Sequence, residues 1–201
     1  MSKNKPSSAP PKFVGRGGEK LDWALTALAV EVAGKTCCDL GSNVGGFVDC
    51  LLRRGAAKVY SVDTSYGSLA WTLRNDPRVV VMERTNALYV ELPEKVAVVT
   101  ADVGWTKQEK VLPRALSLLD ESGVVVSLLK PQYEADRSAL VKGEVRASAL
   151  PEIVARVTAL AEQLGALVCL PVLSPFRGGK GGNPEYYFAV KNRREAKNAI
   201  G

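Results

Sequence analysis

The chain of 201 residues contains no histidine. Histidine supplies the general base of Ser-His-Asp hydrolases and the usual nitrogen ligands of zinc sites, so both kinds of site are excluded. The four cysteines do not replace it, because no two of them form a C-x-x-C pair. We therefore expect no metal site, and we interpret Cys37, Cys38, Cys50 and Cys169 as reduced, buried thiols of a cytoplasmic protein.

Long apolar runs are also missing from the sequence. No segment approaches the ~20 apolar residues of a membrane-spanning helix, and no apolar signal region follows Met1, so we expect no membrane partner. The 46% of hydrophobic residues and the length suit one folded domain, and the net charge of +6 favours a polyanionic partner. We divide the chain into a disordered basic arm (1–12), a folded domain (13–190) and a basic tail (191–201).

The most informative stretch is residues 35–52, which read KTCCDLGSNVGGFVDCLL. A short apolar run ends near Asp39, a glycine-rich turn follows, and apolar residues then recur at helix spacing. Gly41, Gly45 and Gly46 allow the backbone to turn tightly and to approach a ligand closely. A strand, a glycine turn and a helix start form a cofactor cradle in an open parallel sheet.

The spacing of the glycines decides between cofactors. Asn43 stands where the dinucleotide fingerprint has its second glycine, and no phosphate-binding Lys-Ser/Thr pair follows the turn. The pattern D-x-G-x-x-x-G resembles the first motif of S-adenosylmethionine (SAM) methyltransferases. That resemblance implies a turn against the methionine part of SAM and an acid on its ribose, which Asp63 supplies after the predicted strand 58–62. A dehydrogenase fold and an ordinary glycine-rich loop remain the alternatives.

Continuous apolar runs separated by helical patterns predict a parallel sheet that is buried on both faces. We expect an α/β protein with the Rossmann-like SAM-dependent methyltransferase fold, whose mostly parallel seven-stranded sheet carries helices on both faces. In that fold the turn after the third strand, with Thr85 and Asn86, borders the adenine. The predicted cofactor contacts are Asp39, Gly41, Ser42, Asn43, Gly45, Gly46, Phe47, Asp63, Thr85, Asn86 and Asp102.

Four charged residues stand at the ends of predicted elements: Lys20, Asp102, Lys130 and Glu185. Asp102 and Lys130 end neighbouring strands, and ligands of open α/β sheets bind outside the carboxyl ends of the strands. Lys20 lies in the first turn of a helix, where a cation opposes the helix dipole, so local stability does not explain it. Each residue alone is equally well read as a surface charge, but together they predict a site.

Six segments carry a resemblance to a known family, in this order: RGGEKL (16–21), CDLGSNVGGFVDCLL (38–52), VYSVDTSYG (59–67), LRNDPRVVVMERTNA (73–87), LLKPQYEA (128–135) and GNPEYYF (182–188). They resemble the FtsJ-like ribosomal RNA methyltransferases, most of all the methyltransferase domain of the TlyA branch. The resemblance implies a Lys-Asp-Lys-Glu tetrad for ribose 2′-O-methylation, which falls on Lys20, Asp102, Lys130 and Glu185. The S4-type RNA-binding domain of that branch has no counterpart in residues 1–12, so we expect the chain to lack it.

The resemblance implies SAM as cofactor and RNA, expected to be ribosomal, as substrate. We expect Lys130 to accept or steer the proton of the ribose 2′-hydroxyl, with a pKa lowered by burial or by a neighbouring cation. Asp102 would orient Lys130, and Lys20 and Glu185 would position the ribose and Lys130. The alternatives are a SAM-dependent methyltransferase of a small molecule or protein, and a non-catalytic RNA-binding module.

We expect RNA to be bound by Arg16, Arg177 and Lys180, the last two in a predicted glycine-rich loop over residues 174–184. Residues 132–149 show weak periodicity and are predicted to form a second loop beside the active edge. Trp105 or Tyr133 could stack on a base, although packing is the commoner role of such residues.

Overall fold

A computed structural model describes residues 12–167, 170–178 and 182–192. The basic arm up to residue 11, Cys169, Lys180 and the tail from residue 193 lie outside the described residues. In the described part of the chain, no helix has both the length and the apolar character that a membrane crossing requires.

Helices and strands alternate along most of the chain. The helices are α1 (Gly17–Ala27), α2 (Gly46–Arg53), α3 (Trp71–Arg74), α4 (Gln108–Leu118), α5 (Pro131–Glu134) and α6 (Leu150–Leu164). The strands are β1 (Thr36–Leu40), β2 (Lys58–Val62), β3 (Val79–Met82), β4 (Val96–Ala101), β5 (Leu119–Leu129), β6 (Leu140–Val141), β7 (Glu144–Val145), β8 (Ala166–Leu167), β9 (Val172–Arg177) and β10 (Pro184–Lys191).

The main sheet has the order β3-β2-β1-β4-β5-β10, and β8 and β9 both pair with the outer edge of β10. The first five strands are parallel, with Asp39 opposite both Ser61 and Thr100. β10 runs antiparallel to β5, so that its start lies where β5 ends, with Tyr186 opposite Leu129. The sheet therefore has seven positions and is mostly parallel, which confirms the predicted fold.

Helices cover both faces of the sheet. Cys37 packs with α1 and α2 on one face, and its neighbour Cys38 packs with α4 and α6 on the other, because successive strand residues point to opposite faces. Both thiols and that of Cys50 are free and buried, as predicted. Burial raises the pKa of Cys37 and of Cys50 to about 12, so neither is a reactive thiolate.

Both predicted loops are wrong in part. β9 extends to Arg177 inside the predicted 174–184 loop, because pairing with β10 satisfies its backbone and the outer edge tolerates Pro175. Within 132–149 the chain forms α5 and the hairpin β6–β7, whose two turn residues both have positive φ, as in a type I′ turn. The side chain of Asn183 fixes this hairpin, since it accepts from the Val145 N–H and donates to the Gly143 carbonyl.

Candidate active site

The glycine turn brings the ends of β1, β2 and β4 into close contact. The Gly41 N–H donates to the Val62 carbonyl at 2.9 Å, and the Asp102 N–H donates to the Leu40 carbonyl at 3.0 Å. Gly41 has a φ of +89°, and a Cβ atom there would lie 2.5 Å from the carbonyl oxygen of Asp102. Glycine is therefore required at this position both by its backbone angle and by the neighbouring strand.

Asp39 lies beneath the turn and is fully buried. Its Oδ1 accepts a hydrogen bond of 2.7 Å from the Thr100 hydroxyl, while its Oδ2 has no hydrogen-bond partner among the described residues. Burial raises the pKa of Asp39 to about 7, although the hydrogen bonds from Thr100 and Ser42 oppose that shift. The ligand-free protein thus holds a carboxyl group that titrates near neutral pH directly under the turn.

Replacing Asp39 by asparagine tests this titration. The pKa of the carboxyl group is higher in the folded than in the unfolded protein, so unfolding releases a proton between about pH 4 and 7. The wild type should lose up to about 4 kcal/mol of stability as the pH rises through that window, whereas Asp39→Asn should not. Urea unfolding of both ligand-free proteins from pH 4 to 8 measures the difference, and parallel curves would contradict the assignment.

Asp63 follows β2 on the other side of the turn. One carboxylate oxygen accepts from the Asn43 N–H at 2.7 Å, and the other accepts from the Ser65 N–H and hydroxyl at 2.8 and 2.6 Å. Burial raises the pKa of Asp63, but these hydrogen bonds outweigh it and leave the pKa below its usual value. Asp63 is therefore ionised at neutral pH and suited to accept hydrogen bonds from a diol.

Two cavities flank the turn. The first cavity, ≈ 600 Å³, lies between the turn and α1, and its walls include Arg16, Lys20, Ser42, Phe47, Phe176 and Arg177. The second cavity, ≈ 560 Å³, lies beyond the ends of β2 to β5, and its walls include Asp63, Thr85, Asn86, Val103, Trp105 and Lys130. Gly41, Asn43 and Asp102 line both, so the two cavities form one cleft along the carboxyl edge of the sheet.

The four predicted charges meet at this cleft as two ion pairs. Lys20 Nζ lies 2.5 Å from Glu185 Oε2, and Lys130 Nζ pairs with Asp102 Oδ1. The lysine side chains are only 16% and 18% exposed, so water screens these pairs little. Glu185 reaches the same edge although it is the second residue of β10, because β10 is antiparallel and begins where β5 ends.

The expectation of a lowered pKa for Lys130 is wrong for the ligand-free protein. Burial of the ammonium group does lower its pKa, but the charges of Asp102 and Glu185 outweigh that effect, and the pKa is raised. Lys130 is therefore protonated at neutral pH.

Most of the described site residues that were predicted lie on the walls of the cleft, and three do not. Glu185 is buried behind Lys20, with which it pairs. Asp39 lies below the turn, and Gly45 faces away, since a Cβ there would meet the side chains of Leu73 and Leu69. Sequence reasoning missed Thr100 and Ser65, which hold the carboxylates of Asp39 and Asp63. The signal for Ser65 was available, because a serine two residues after an aspartate commonly closes a hydrogen-bonded turn.

Trp105, which is exposed, and Tyr133, which is half-buried, form an aromatic pair beside Lys130. Their ring centroids are 5.1 Å apart, and Lys130 Nζ lies 5.8 Å from the centre of the Tyr133 ring. Trp105 is 90% exposed and has a φ of +58°, an uncommon conformation for a bulky residue. Trp105 is therefore not packed in the core, which is the commoner place for a tryptophan.

Two observations fit SAM in the cleft: Gly41 brings bare main chain to the wall of both cavities, and the ionised Asp63 lines the second cavity. The fold agrees, because a SAM-dependent methyltransferase from Mesorhizobium loti superposes with a TM-score of 0.60 over 84% of this chain and 96% of its own, at 15% identity. Fold and site together define a SAM-dependent methyltransferase.

The chain belongs to the FtsJ-like methyltransferase family, whose model matches residues 13–189. The 16S/23S rRNA (cytidine-2'-O)-methyltransferase TlyA of Mycobacterium tuberculosis is 40% identical over 191 residues, which are 91% of this chain and 70% of that protein. Hemolysin A of Brachyspira hyodysenteriae is 37% identical over 188 residues, 87% of this chain and 75% of that protein.

Proposed function

We propose that this enzyme transfers a methyl group from SAM to the 2′-hydroxyl of a ribose in ribosomal RNA. The observation that carries the proposal is the pair of partly buried lysine–carboxylate contacts, Lys20 with Glu185 and Lys130 with Asp102, at the junction of the two cavities. The similarity to an rRNA 2'-O-methyltransferase over 91% of the chain supports the same substrate class.

The four charges have separate roles in this reaction. When bound, the cofactor supplies an electrophilic methyl group on a positively charged sulfur. A second positive charge in the cleft would lower the pKa of the Lys130 ammonium group, which would then give its own proton to water. The resulting neutral amine would orient the 2′-hydroxyl and accept its proton as the oxygen bonds to the methyl carbon and the carbon–sulfur bond breaks. Asp102 holds Lys130 in place, and the Lys20–Glu185 pair positions the ribose.

The first cavity offers basic groups for the RNA backbone. Arg16 and Arg177 both line it, next to Lys20, and Lys180 follows Arg177 in the sequence. Arg177 is held in place by donating to the Gly182 carbonyl at 2.9 Å. Arginines at these positions bind phosphate without reading sequence, which gives an affinity that falls as salt is added. The exposed Trp105 is free to stack on a base near the reacting ribose.

We extend the proposal to a cytoplasmic enzyme, because its substrate is ribosomal RNA and its buried thiols at Cys37, Cys38 and Cys50 are unpaired. The name of the Brachyspira relative suggests membrane damage, but the cleft with two ion pairs gives no support to that activity here. A methyltransferase of small molecules or proteins remains the alternative, since the cofactor half of the cleft would be the same.

Incubation with methyl-labelled SAM tests the substrate. We expect label in ribosomal RNA, recovered as a 2′-O-methylated nucleotide after digestion. A DNA copy of the same RNA is the matched control, because it lacks the 2′-hydroxyl and should stay unlabelled. Label found only in added nucleosides or proteins would indicate a methyltransferase of small molecules or proteins instead. SAM binding with no label in RNA, nucleosides or proteins would indicate a non-catalytic module.

A further inference from the structure

The loop of residues 103–107 forms one wall of the second cavity. It links the end of β4 to the start of α4, and its residues Val103, Gly104, Trp105 and Thr106 all line the cavity opposite Asp63. The loop is open around Gly104, where an added Cβ would meet nothing within 4 Å. With Trp105 in an uncommon backbone conformation, this wall needs support from outside the loop.

That support comes from a buried contact between Gln108 and Glu134. The Glu134 carboxylate accepts a 2.7 Å hydrogen bond from the Gln108 backbone N–H, at the point where the loop ends and α4 begins. The Gln108 side chain donates to the Leu128 carbonyl at 3.1 Å and accepts from the Ser127 hydroxyl at 2.8 Å. Gln108 and Glu134 are only 6% and 5% exposed.

The contact joins the loop to the element that carries Lys130. Glu134 ends α5, the short helix that directly follows Lys130, and Gln108 bonds to β5 just before Lys130. Tyr133 precedes Glu134 and packs against Trp105 in the middle of the loop. Movement of Glu134 would therefore shift the Tyr133–Trp105 pair and the cavity wall together.

Capping of α4 does not by itself explain a buried carboxylate here. The residue at the N-cap is Lys107, whose side chain makes no capping hydrogen bond, although a serine or aspartate there would cap the helix locally. Glu134 instead reaches across from α5, and its own carbonyl accepts a 2.5 Å hydrogen bond from Arg156 of α6. A carboxylate buried between three elements fixes their relative position.

We propose that Glu134 and Gln108 are positioning residues that hold the 103–107 loop as the wall of the cofactor cavity. The inference deepens the proposed function, because it concerns the same cleft, but it rests only on the binding of SAM. Loss of the contact removes the bond that joins the end of the loop to α5, so SAM binds to a cavity whose wall is less ordered.

The test compares Glu134→Ala with Glu134→Gln in the full chain, without RNA. We expect Glu134→Ala to raise the dissociation constant of SAM about tenfold in calorimetry and to speed hydrogen exchange in residues 103–111. Glu134→Gln should keep both values near those of the wild type, because its amide oxygen can still accept from the Gln108 N–H. If Glu134→Ala does not fold, Gln108→Ala, which removes the two bonds to β5, should show the same two changes.

The control is Glu94→Ala, which removes a carboxylate that accepts from Lys58 and Tyr60 away from the cleft. It should change stability without changing SAM affinity or exchange in residues 103–111. Wild-type affinity and exchange in Glu134→Ala, or an equal loss in Glu134→Gln, would overturn the inference. Neither result would bear on the proposed function, because the labelling of RNA tests that function separately.

Discussion

Replacing Lys130 by alanine should lower the rate of methyl transfer to RNA about 10³-fold, while SAM binding is largely kept. Lys130 is proposed to orient the 2′-hydroxyl and take its proton, and general-base catalysis typically contributes about 10² to 10⁴ in rate. Single-turnover transfer from labelled SAM measures the rate, and calorimetry measures SAM binding. Full transfer by Lys130→Ala would remove Lys130 from the mechanism.

Two further variants separate the roles that a lysine could have. Lys130→Arg keeps the positive charge next to Asp102, but a guanidinium does not give up its proton at any relevant pH. It should therefore stay as inactive as Lys130→Ala, and recovery of activity would mean that Lys130 acts by charge alone. Lys58→Ala is the matched control, because Lys58 pairs with Glu94 away from the cleft, and it should transfer methyl groups at the wild-type rate.

Replacing Gly41 by alanine should lower both methyl transfer and SAM binding more than any other single substitution beside Asp63 and Asp102. The new Cβ would lie 2.5 Å from the Asp102 carbonyl oxygen, so the main chain that carries Asp102 must move. Displacement of a reacting group by about 1 Å costs about 10² in rate. We expect methyl transfer to fall by at least that factor, with SAM binding weakened as well, both measured in the assays above.

Gly67 provides the control for backbone strain. It has a φ of +72°, comparable to the +89° of Gly41, but an added Cβ would meet nothing within 4 Å. Gly67→Ala should therefore show only the strain of a left-handed residue, about 1 to 2 kcal/mol of stability, with wild-type SAM binding. If Gly41→Ala and Gly67→Ala lost SAM binding equally, backbone strain and not contact with Asp102 would explain why glycine is required at position 41.

Much of the fold, and the meeting of several predicted residues at one cleft, could be predicted for a physical reason. Apolar runs mark parallel strands, and the carboxyl ends of parallel strands meet at one edge, so Gly41, Asp63 and Asp102 were placed together by sequence order alone. The position of Glu185 and the direction of the pKa shift of Lys130 could not be predicted from the sequence. Glu185 reaches this edge only because β10 is antiparallel, and the pKa of Lys130 is raised because Asp102 and Glu185 both lie near it.

The contacts made by short elements could not be predicted. The hairpin β6–β7 and the helix α5 are too short to give a clear apolar period, so residues 132–149 were interpreted as a loop. The Gln108–Glu134 contact joins residues 26 apart through one backbone N–H, and no spacing rule describes such a bond. The 174–184 prediction was wrong in part because glycines and prolines near an edge strand look like a loop in sequence.

The position of β10 makes the cleft depend on residues that are far apart in the sequence. Lys20 and its partner Glu185 are 165 residues apart, and β10 lies between β5 and β9 in the sheet. A nascent chain that stops before residue 184 leaves the apolar β5 as an open edge and Lys20 without Glu185. Such a chain is prone to aggregation and lacks the complete set of charges, so one strand completes both the sheet and the proposed catalytic site.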